Sequence, residues 1–178
     1  MCQALILHKK TFGELTADEL YELRHLYPRW HSSYQNDLDE ITNSKNMNKR
    51  AYIQENKDWL IAKSKEEGVK SLPKGIFYKV LSEGDQSSAQ PTVRSIITAH
   101  YTGKTINGKQ FDSSRGGVPL ACRLCDLIEG WIIAIQQMHI GDKWELYIPA
   151  EMGYGKFSQP GIPGGSTLIF EVELLGIA

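Results

Sequence analysis

Apolar and polar residues alternate along two segments in the second half of the chain. In residues 144–148 and again in residues 168–174, the apolar residues recur at every second position. A period of two is typical of antiparallel strands that bury one face. In the first of these segments the alternation places Tyr147 with Glu145, on the face opposite Trp144. We therefore predict two half-buried antiparallel strands.

Two further segments, residues 75–81 and 93–101, favour strands because they are rich in β-branched and aromatic residues. Residues 130–138 are the one good helix candidate in this half of the chain, and the turn around residues 141–142 is predicted to end it. An antiparallel sheet with a single short helix laid across it is an α+β arrangement. The pattern therefore predicts an α+β domain.

The first part of the chain has a helical pattern instead. Residues 16–19 have the spacing of a capping box, and leucines follow at near-helical intervals until Pro28, which is predicted to end the helix. The polar residues 43–46 predict a break. A second helix is expected over residues 47–67, with Gly68 as its stop.

The composition is that of a soluble globular protein. The chain has 178 residues, of which 41% are hydrophobic and 23% charged, enough for one full domain and a smaller appendage. Its 20 basic and 21 acidic residues leave a net charge of −1, so no basic excess would attract nucleic acid or anionic lipid. No apolar run approaches the length of a membrane span. We expect neither a nucleic-acid nor a membrane partner.

Cysteine content and the N-terminal sequence favour a cytoplasmic location. Three cysteines (Cys2, Cys122 and Cys125) do not form a disulfide framework, which suits a reducing compartment. In residues 1–10 the apolar residues precede the lysines, the reverse of a secretory signal. The alternative is a periplasmic or membrane-anchored protein whose signal has been trimmed, with Cys2 as a lipoprotein cysteine.

Aromatic residues recur beside turn-forming glycines and prolines in residues 99–114 and 153–170. No paired acid and base and no activated nucleophile accompanies them, so these segments suit a site that grips an apolar ring and a peptide bond without covalent chemistry. The motifs are Tyr101-Thr-Gly, Gly108-Lys-Gln-Phe-Asp-Ser-Ser, Gly153-Tyr-Gly, Pro160-Gly-Ile-Pro and Thr167-Leu-Ile-Phe. On these motifs, residues 71–178 resemble the FKBP-type peptidyl-prolyl cis-trans isomerases. The resemblance implies a curved, five-stranded antiparallel sheet wrapped around a short helix.

The resemblance also implies an aromatic pocket between the sheet and the short helix. Trp131 would form its floor, beneath the proline ring of a substrate, and its walls would be Tyr101, Phe111 and Phe170. Asp112 would hydrogen-bond within the pocket and polarise its wall. Taken singly, each of these aromatic residues is more commonly a core residue. Their joint occurrence in the order of the family favours the site.

Further residues would bind the substrate backbone and close the pocket. The backbone N–H of Ile128, which follows Leu127, would bind a substrate carbonyl. Tyr154 would offer its hydroxyl to the substrate backbone, and Ile162 would close the rim. These roles are carried over from the resemblance.

The strand after Pro119 departs from the family pattern. Many relatives carry an aromatic residue there, whereas this chain has Leu120-Ala-Cys122. The smaller, softer wall predicts weakened affinity for macrolide immunosuppressants and a shifted preference for the residue before proline. Cys122 and Cys125 also form a C-x-x-C, but the chain has no second C-x-x-C for zinc. Small wall residues are therefore favoured over a redox or metal site.

The implied activity is peptidyl-prolyl cis-trans isomerisation during protein folding. Rotation about an X–Pro bond faces a barrier of about 18–20 kcal/mol, set by amide resonance. An apolar pocket favours the twisted, less charge-separated amide, and we expect no cofactor or metal. The partners would be unfolded or partly folded proline-containing polypeptides. The alternative is a non-catalytic proline-binding or chaperone module that uses the same pocket.

Two domains are predicted, a helical N-terminal arm over residues 1–70 and an isomerase domain over residues 71–178. Residues 63–81 are similar to the linker of the macrophage-infectivity-potentiator branch of the family, in which an N-terminal helical region makes dimers. A homodimer through the arm and packing of the arm on its own domain are both open at this point.

Overall fold

The computed structural model describes the backbone of residues 31–178 and the side chains of residues 43–178. The helix predicted from residue 16, with its end at Pro28, lies outside the described residues. Residues 49–178 form one compact unit.

A long α-helix begins the described part of the chain. Helix α1 spans His31–Lys63, so the predicted break at residues 43–46 is wrong. Asn and Ser in a helix interior cost at most about 0.7 kcal/mol each relative to Ala, which is too little to end a helix. The helix ends before Gly68, which has a φ of 80° in the turn that follows. No helix within residues 31–178 is both long and apolar enough to cross a membrane.

An antiparallel sheet makes up most of the remaining structure. Its seven strands are β1 (Val69–Ser71), β2 (Phe77–Ser82), β3 (Ile96–Thr105), β4 (Gln110–Ser113), β5 (Leu120–Arg123), β6 (Lys143–Ile148) and β7 (Leu168–Ile177). The strand order is β1-β2-β6-β7-β3-β4, and β5 also pairs with β3. Short 3-10 turns occupy Pro73–Gly75, Leu124–Asp126 and Ala150–Met152. The antiparallel sheet is confirmed, with seven strands in the described residues where five were expected.

The second helix, α2, spans Glu129–Ile135 and packs on the sheet. Its buried residues include Trp131 and Ala134, which belong to the hydrophobic core. Gly130 allows the close approach, because a Cβ there would lie 2.4 Å from a side-chain carbon of Ile148 on β6. The predicted α+β architecture, with one short helix against the sheet, is confirmed.

Strand β7 buries one face completely. Its inward residues are at most 4% exposed, and they are Leu168, Phe170, Val172 and Leu174. The residues between them remain partly accessible. The predicted alternation is therefore confirmed along this strand, which pairs with β3 on one side and β6 on the other.

Strand β6 departs from its pattern at one residue. Tyr147, which the alternation places opposite the core face, is fully buried. The ring of Trp59 on α1 packs against it edge-to-face, with 5.9 Å between ring centroids. The ammonium group of Lys63 lies 5.3 Å from the Tyr147 ring. The second face of the sheet is thus covered by α1 at this position.

Candidate functional site

The indole of Trp131 is the centre of an aromatic cluster between α2 and the sheet. Trp131 lies in the first turn of α2, where 3% of its surface is exposed. The ring of Tyr101 on β3 meets the indole at 5.3 Å and 82°, and the ring of Phe170 on β7 meets it at 5.2 Å and 89°. Aromatic pairs favour such edge-to-face contacts. The structure thus brings three of the predicted aromatic residues together.

Phe111 on β4 extends this cluster, and Gly103 makes room for it. The rings of Phe111 and Phe170 meet edge-to-face at 5.5 Å. Gly103 pairs with Asp112 of β4 on one side and with Phe170 of β7 on the other. A Cβ on Gly103 would lie 2.5 Å from the Phe111 ring and 2.7 Å from the Phe170 ring. Sequence reasoning gave Gly103 no role, although a glycine inside a strand signals close packing.

Tyr101 and Asp112 form the polar edge of the site. The Tyr101 hydroxyl donates to Oδ2 of Asp112 at 2.6 Å, and the backbone N–H of Ser113 donates to Oδ1 at 2.8 Å. Burial, followed by the hydrogen bond and the charge of Asp112, raises the pKa of Tyr101 to about 12. The charges of Tyr154 and Cys122 add smaller contributions to this rise in pKa. Tyr101 therefore stays neutral at physiological pH.

The residues leading into α2 provide an open backbone donor. The carbonyl of Ile128 accepts hydrogen bonds from the N–H groups of Trp131 at 3.0 Å and Ile132 at 3.2 Å. The N–H of Ile128 itself has no hydrogen-bond acceptor among the described residues. Leu127 and Ile128 are half-buried against the core. A backbone N–H without a partner is suited to bind a carbonyl.

The loop between β6 and β7 carries two predicted site residues with different surroundings. Tyr154 is 36% exposed, whereas Ile162 is 5% exposed and packs in the hydrophobic core. The N–H of Ile162 donates to the Gln159 carbonyl, and the N–H of Gln159 donates back to the Ile162 carbonyl, each at 2.9 Å. This loop therefore combines an accessible phenol with an anchored apolar residue.

Strand β5 turns Leu120 and Cys122 towards the core. Both are half-buried, whereas the residues between and after them are exposed. Burial raises the pKa of the Cys122 thiol, and both Cys122 and Cys125 are free thiols. A raised thiol pKa lowers the reactive thiolate fraction. No cluster of three metal-ligating side chains occurs in the part of the chain that the structure describes.

The accessible surface of the site comes from its walls. Tyr101 and Phe111 are half-buried and Tyr154 is exposed, whereas Trp131 and Phe170 form the buried base. A separate cleft of about 220 Å³ is lined by residues that include Tyr78, His139 and Trp144. None of the predicted site residues lines it. The chemistry of the cluster around Trp131, rather than the size of a cleft, identifies the candidate site.

Comparisons with known proteins point to one family. Residues 87–175 match the family model of the FKBP-type peptidyl-prolyl cis-trans isomerases. The chain is similar to the FKBP-type peptidyl-prolyl cis-trans isomerase FkpA of Aeromonas hydrophila, with 36% identity over 81% of this chain and 54% of the relative. It is also similar to the FKBP-type 22 kDa peptidyl-prolyl cis-trans isomerase of Escherichia coli, with 42% identity over 71% of this chain and 58% of that protein. The chain thus spans little more than half the length of these relatives.

Two solved structures share the fold. A peptidyl-prolyl cis-trans isomerase from Pseudomonas syringae has a TM-score of 0.67 and 31% identity, over 72% of this chain and 95% of that chain. FkpA from Escherichia coli has a TM-score of 0.63 and 32% identity, over 99% of this chain and 78% of that chain.

One further relative bears on the cellular location. The "Outer membrane protein MIP" of Legionella longbeachae is 36% identical over 82% of this chain and 63% of that protein. That name concerns the outer membrane, so the comparisons do not support the expected cytoplasmic location.

Proposed function

The chain belongs to the FKBP-type peptidyl-prolyl cis-trans isomerase family, and from this premise we propose that it accelerates rotation about X–Pro bonds in proline-containing polypeptides. The observation that carries the proposal is the aromatic cluster around Trp131. The indole of Trp131 meets the rings of Tyr101 and Phe170 nearly at right angles. Ile128, three residues before Trp131, has an open backbone N–H, and Tyr154 has an accessible phenol. Such a site offers apolar contacts to a proline ring and hydrogen bonds to the chain on either side.

The apolar surroundings lower the barrier by differential binding. The planar X–Pro amide is charge-separated by resonance, and twisting removes that resonance. The aromatic walls, Tyr101 and Phe111, replace water around the amide, which favours the twisted form relative to the planar one. Uncatalysed isomerisation takes tens to hundreds of seconds. A turnover of about 1–1,000 per second therefore requires a barrier lower by roughly 3–7 kcal/mol.

The polar groups orient the substrate without transferring a proton. The Ile128 N–H binds the carbonyl of a substrate residue, and the Tyr154 hydroxyl binds its backbone. Asp112 holds the Tyr101 hydroxyl in place and polarises that wall. Because Tyr101 ionises only at about pH 12, its hydroxyl is neither an acid nor a base at neutral pH.

Strand β5 sets the breadth of the pocket. Leu120 and Cys122 form a wall smaller than an aromatic side chain would make, so large macrolide ligands bind with reduced affinity. The same wall influences the preference for the residue that precedes proline. Titration with a macrolide, comparing wild type with Cys122→Phe, tests this: we expect tighter binding by the variant.

A protease-coupled assay with a proline-containing tetrapeptide tests the activity. We expect the wild-type chain to accelerate isomerisation, and Tyr154→Phe and Trp131→Ala to reduce the acceleration. The second candidate is a non-catalytic proline-binding or chaperone module, which the altered β5 wall favours. A wild-type rate equal to the uncatalysed one, together with measurable binding of the same peptide, would establish that second function.

The arm, assembly and location complete the proposal. The arm comprises residues 1–70 and the isomerase domain residues 71–178, and the arm serves in homodimerisation. Its last part, residues 49–70, belongs to the same compact unit as the domain. Sedimentation of the full chain at high concentration tests the dimer, and a strict monomer refutes it.

The similarity to an outer membrane protein supports a place in the cell envelope, the alternative to the cytoplasm. Fractionation of cells that express the complete gene product tests that location.

A further inference from the structure

The C-terminal part of α1 holds the segment that leads into β7 by hydrogen bonds and packing; this set of contacts is called the grip. Asn56 on α1 is 1% exposed. Its Oδ1 accepts the backbone N–H of Thr167 at 2.8 Å, and its backbone carbonyl accepts the Thr167 hydroxyl at 3.2 Å. Its Nδ2 donates to the Tyr52 carbonyl at 2.9 Å. The side chain of Asn56 is therefore buried, and both its oxygen and its nitrogen are hydrogen-bonded to backbone groups.

Two more residues of α1 contact the same segment. The Tyr52 hydroxyl lies 2.7 Å from Oγ of Ser166. Gly165, at a φ of 89°, lies so close to Ile53 that a Cβ on the glycine would be 2.5 Å from a side-chain carbon of Ile53. Residues 52, 53 and 56 lie on one side of a helix. They hold residues 165–167 by three hydrogen bonds, two of which use the side chains of Tyr52 and Asn56, and by one close packing contact.

The gripped segment is connected directly to the rim of the site. Ser166 donates its hydroxyl to the Pro163 carbonyl at 2.7 Å, and Pro163 follows Ile162. The N–H of Gly165 donates to the Gly155 carbonyl at 2.8 Å, and Gly155 follows Tyr154. Residues 165 and 166 are therefore hydrogen-bonded to Gly155 and Pro163. These two residues directly follow Tyr154 and Ile162, the two residues assigned to the rim.

We propose that Asn56 and Tyr52 are positioning residues for the isomerase site. They hold residues 165–167, and through these the loop that carries Tyr154 and Ile162, in the conformation that binds substrate. This inference rests on the proposed function of the site. It makes the helical arm part of the working enzyme, because removing the arm also removes the support of the rim.

The proposal predicts an effect on binding rather than on rotation. The rim contacts the substrate backbone in the planar and twisted states alike, so its disorder weakens both. KM therefore rises while kcat changes little. Because a lost hydrogen bond corresponds to about a two- to tenfold change in an equilibrium constant, we expect KM to rise about two- to tenfold in Asn56→Ala and about two- to fivefold in Tyr52→Phe.

The experiment uses the full chain in four forms: wild type, Asn56→Ala, Tyr52→Phe and, as control, Gln54→Ala. Gln54 lies on the same helix and donates its side-chain amide to exposed Asp58, away from residues 165–167. Tyr52→Phe keeps the ring, so it remains informative if Asn56→Ala does not fold. Each form is assayed for kcat and KM with a proline peptide, at a temperature where it is fully folded.

Amide hydrogen exchange by NMR separates the local effect from general instability. The Thr167 amide donates to Asn56, whereas the Ile96 amide, on β3, donates to the carbonyl of Ala178, the residue that follows β7. We expect Thr167 to exchange at least tenfold faster in Asn56→Ala and Ile96 to stay unchanged. A purely structural role would accelerate both amides equally and leave KM unchanged.

Two results would overturn the inference. Faster exchange at Thr167 with KM unchanged in both variants would mean that the grip does not reach the site. Exchange and KM both unchanged would mean that the grip holds nothing in place. If the wild type accelerates no isomerisation, the proposed function is wrong. Peptide affinity measured by NMR titration of the same four forms then decides the inference separately.

Discussion

The hydroxyl of Tyr101 donates to Oδ2 of Asp112 at 2.6 Å, joining a side chain of β3 to one of β4 at the edge of the aromatic cluster. The two strands are held in register there, because Gly103 pairs with Asp112. Tyr101 also contacts Trp131 edge-to-face. One hydrogen bond therefore fixes the ring that stands over the indole.

The pH dependence of Tyr101 gives the first prediction. Its pKa of about 12 in the folded chain lies above the ordinary value near 10. Its contribution to stability is therefore complete below pH 10 and is lost as the pH rises through 12. In Asp112→Asn we expect the pKa of Tyr101 to fall towards 10 without reaching it, because burial, the largest cause, remains. Absorbance titration, with Tyr101→Phe subtracted, measures this pKa.

The activity assay tests the same absence of proton transfer. Because no group transfers a proton in the proposed mechanism, kcat/KM of the wild type should not change between pH 6 and pH 9. Asp58→Asn, an exposed carboxylate on α1, should leave the Tyr101 titration unchanged. A bell-shaped pH profile would contradict the mechanism, since it would report an acid and a base.

Gly103→Ala gives the second prediction. The new methyl group would stand 2.5 Å from the Phe111 ring and 2.7 Å from the Phe170 ring, so both walls must move. We expect the free energy of unfolding to fall by about 1–3 kcal/mol, which is typical of overpacking. The fraction of kcat/KM that is lost should exceed the fraction of the free energy of unfolding that is lost. Gly117→Ala is the matched control, because its nearest neighbour would be the Ser114 carbonyl oxygen at 3.8 Å. Denaturant unfolding and the peptide assay measure the two effects.

The alternation of apolar residues predicted the sheet where one face is buried and the other accessible. In β7 the pattern and the burial agree from Leu168 to Leu174. In β6 the pattern could not predict that Tyr147 is buried, because Trp59, which covers it, lies 88 positions earlier in the chain. The polar residues 43–46 were overvalued as a break, since their helix penalties are small.

The candidate site, like the sheet, was predicted only in part from the sequence. The motifs predicted the aromatic residues that the structure gathers around Trp131. They did not indicate the support of the rim, because Asn56 and Thr167 are 111 residues apart and neither belongs to a local pattern that signals the other. Contacts of this kind depend on how α1 meets the sheet, which a single sequence does not specify.

Substitution of Trp131 gives the third prediction. The indole is buried and its Nε1 has no hydrogen-bond partner among the described residues. Trp131→Phe therefore removes no hydrogen bond and keeps an aromatic base, whereas Trp131→Ala leaves a cavity and should cost about 3–5 kcal/mol of stability. We expect Phe to retain most of the stability and part of kcat/KM, and Ala to retain little of either. Equal losses in the two variants would contradict this expectation, because a phenyl ring would then serve no better than a methyl group at this position.

Thiol reactivity gives the last prediction. Cys125 is exposed, whereas Cys122 is half-buried beside Leu120 and burial raises the pKa of its thiol. In a Cys2→Ser background, iodoacetamide at pH 7.5 should modify Cys125 at least about tenfold faster than Cys122, because alkylation requires an accessible thiolate. Mass spectrometry follows both sites, with the peptide assay run on the same samples.

Activity should survive modification of Cys125 and fall as the larger adduct forms at Cys122, in the pocket wall. Full activity after both thiols are alkylated would remove Cys122 from the wall, and inactivation that tracks Cys125 alone would reopen a redox function for the pair.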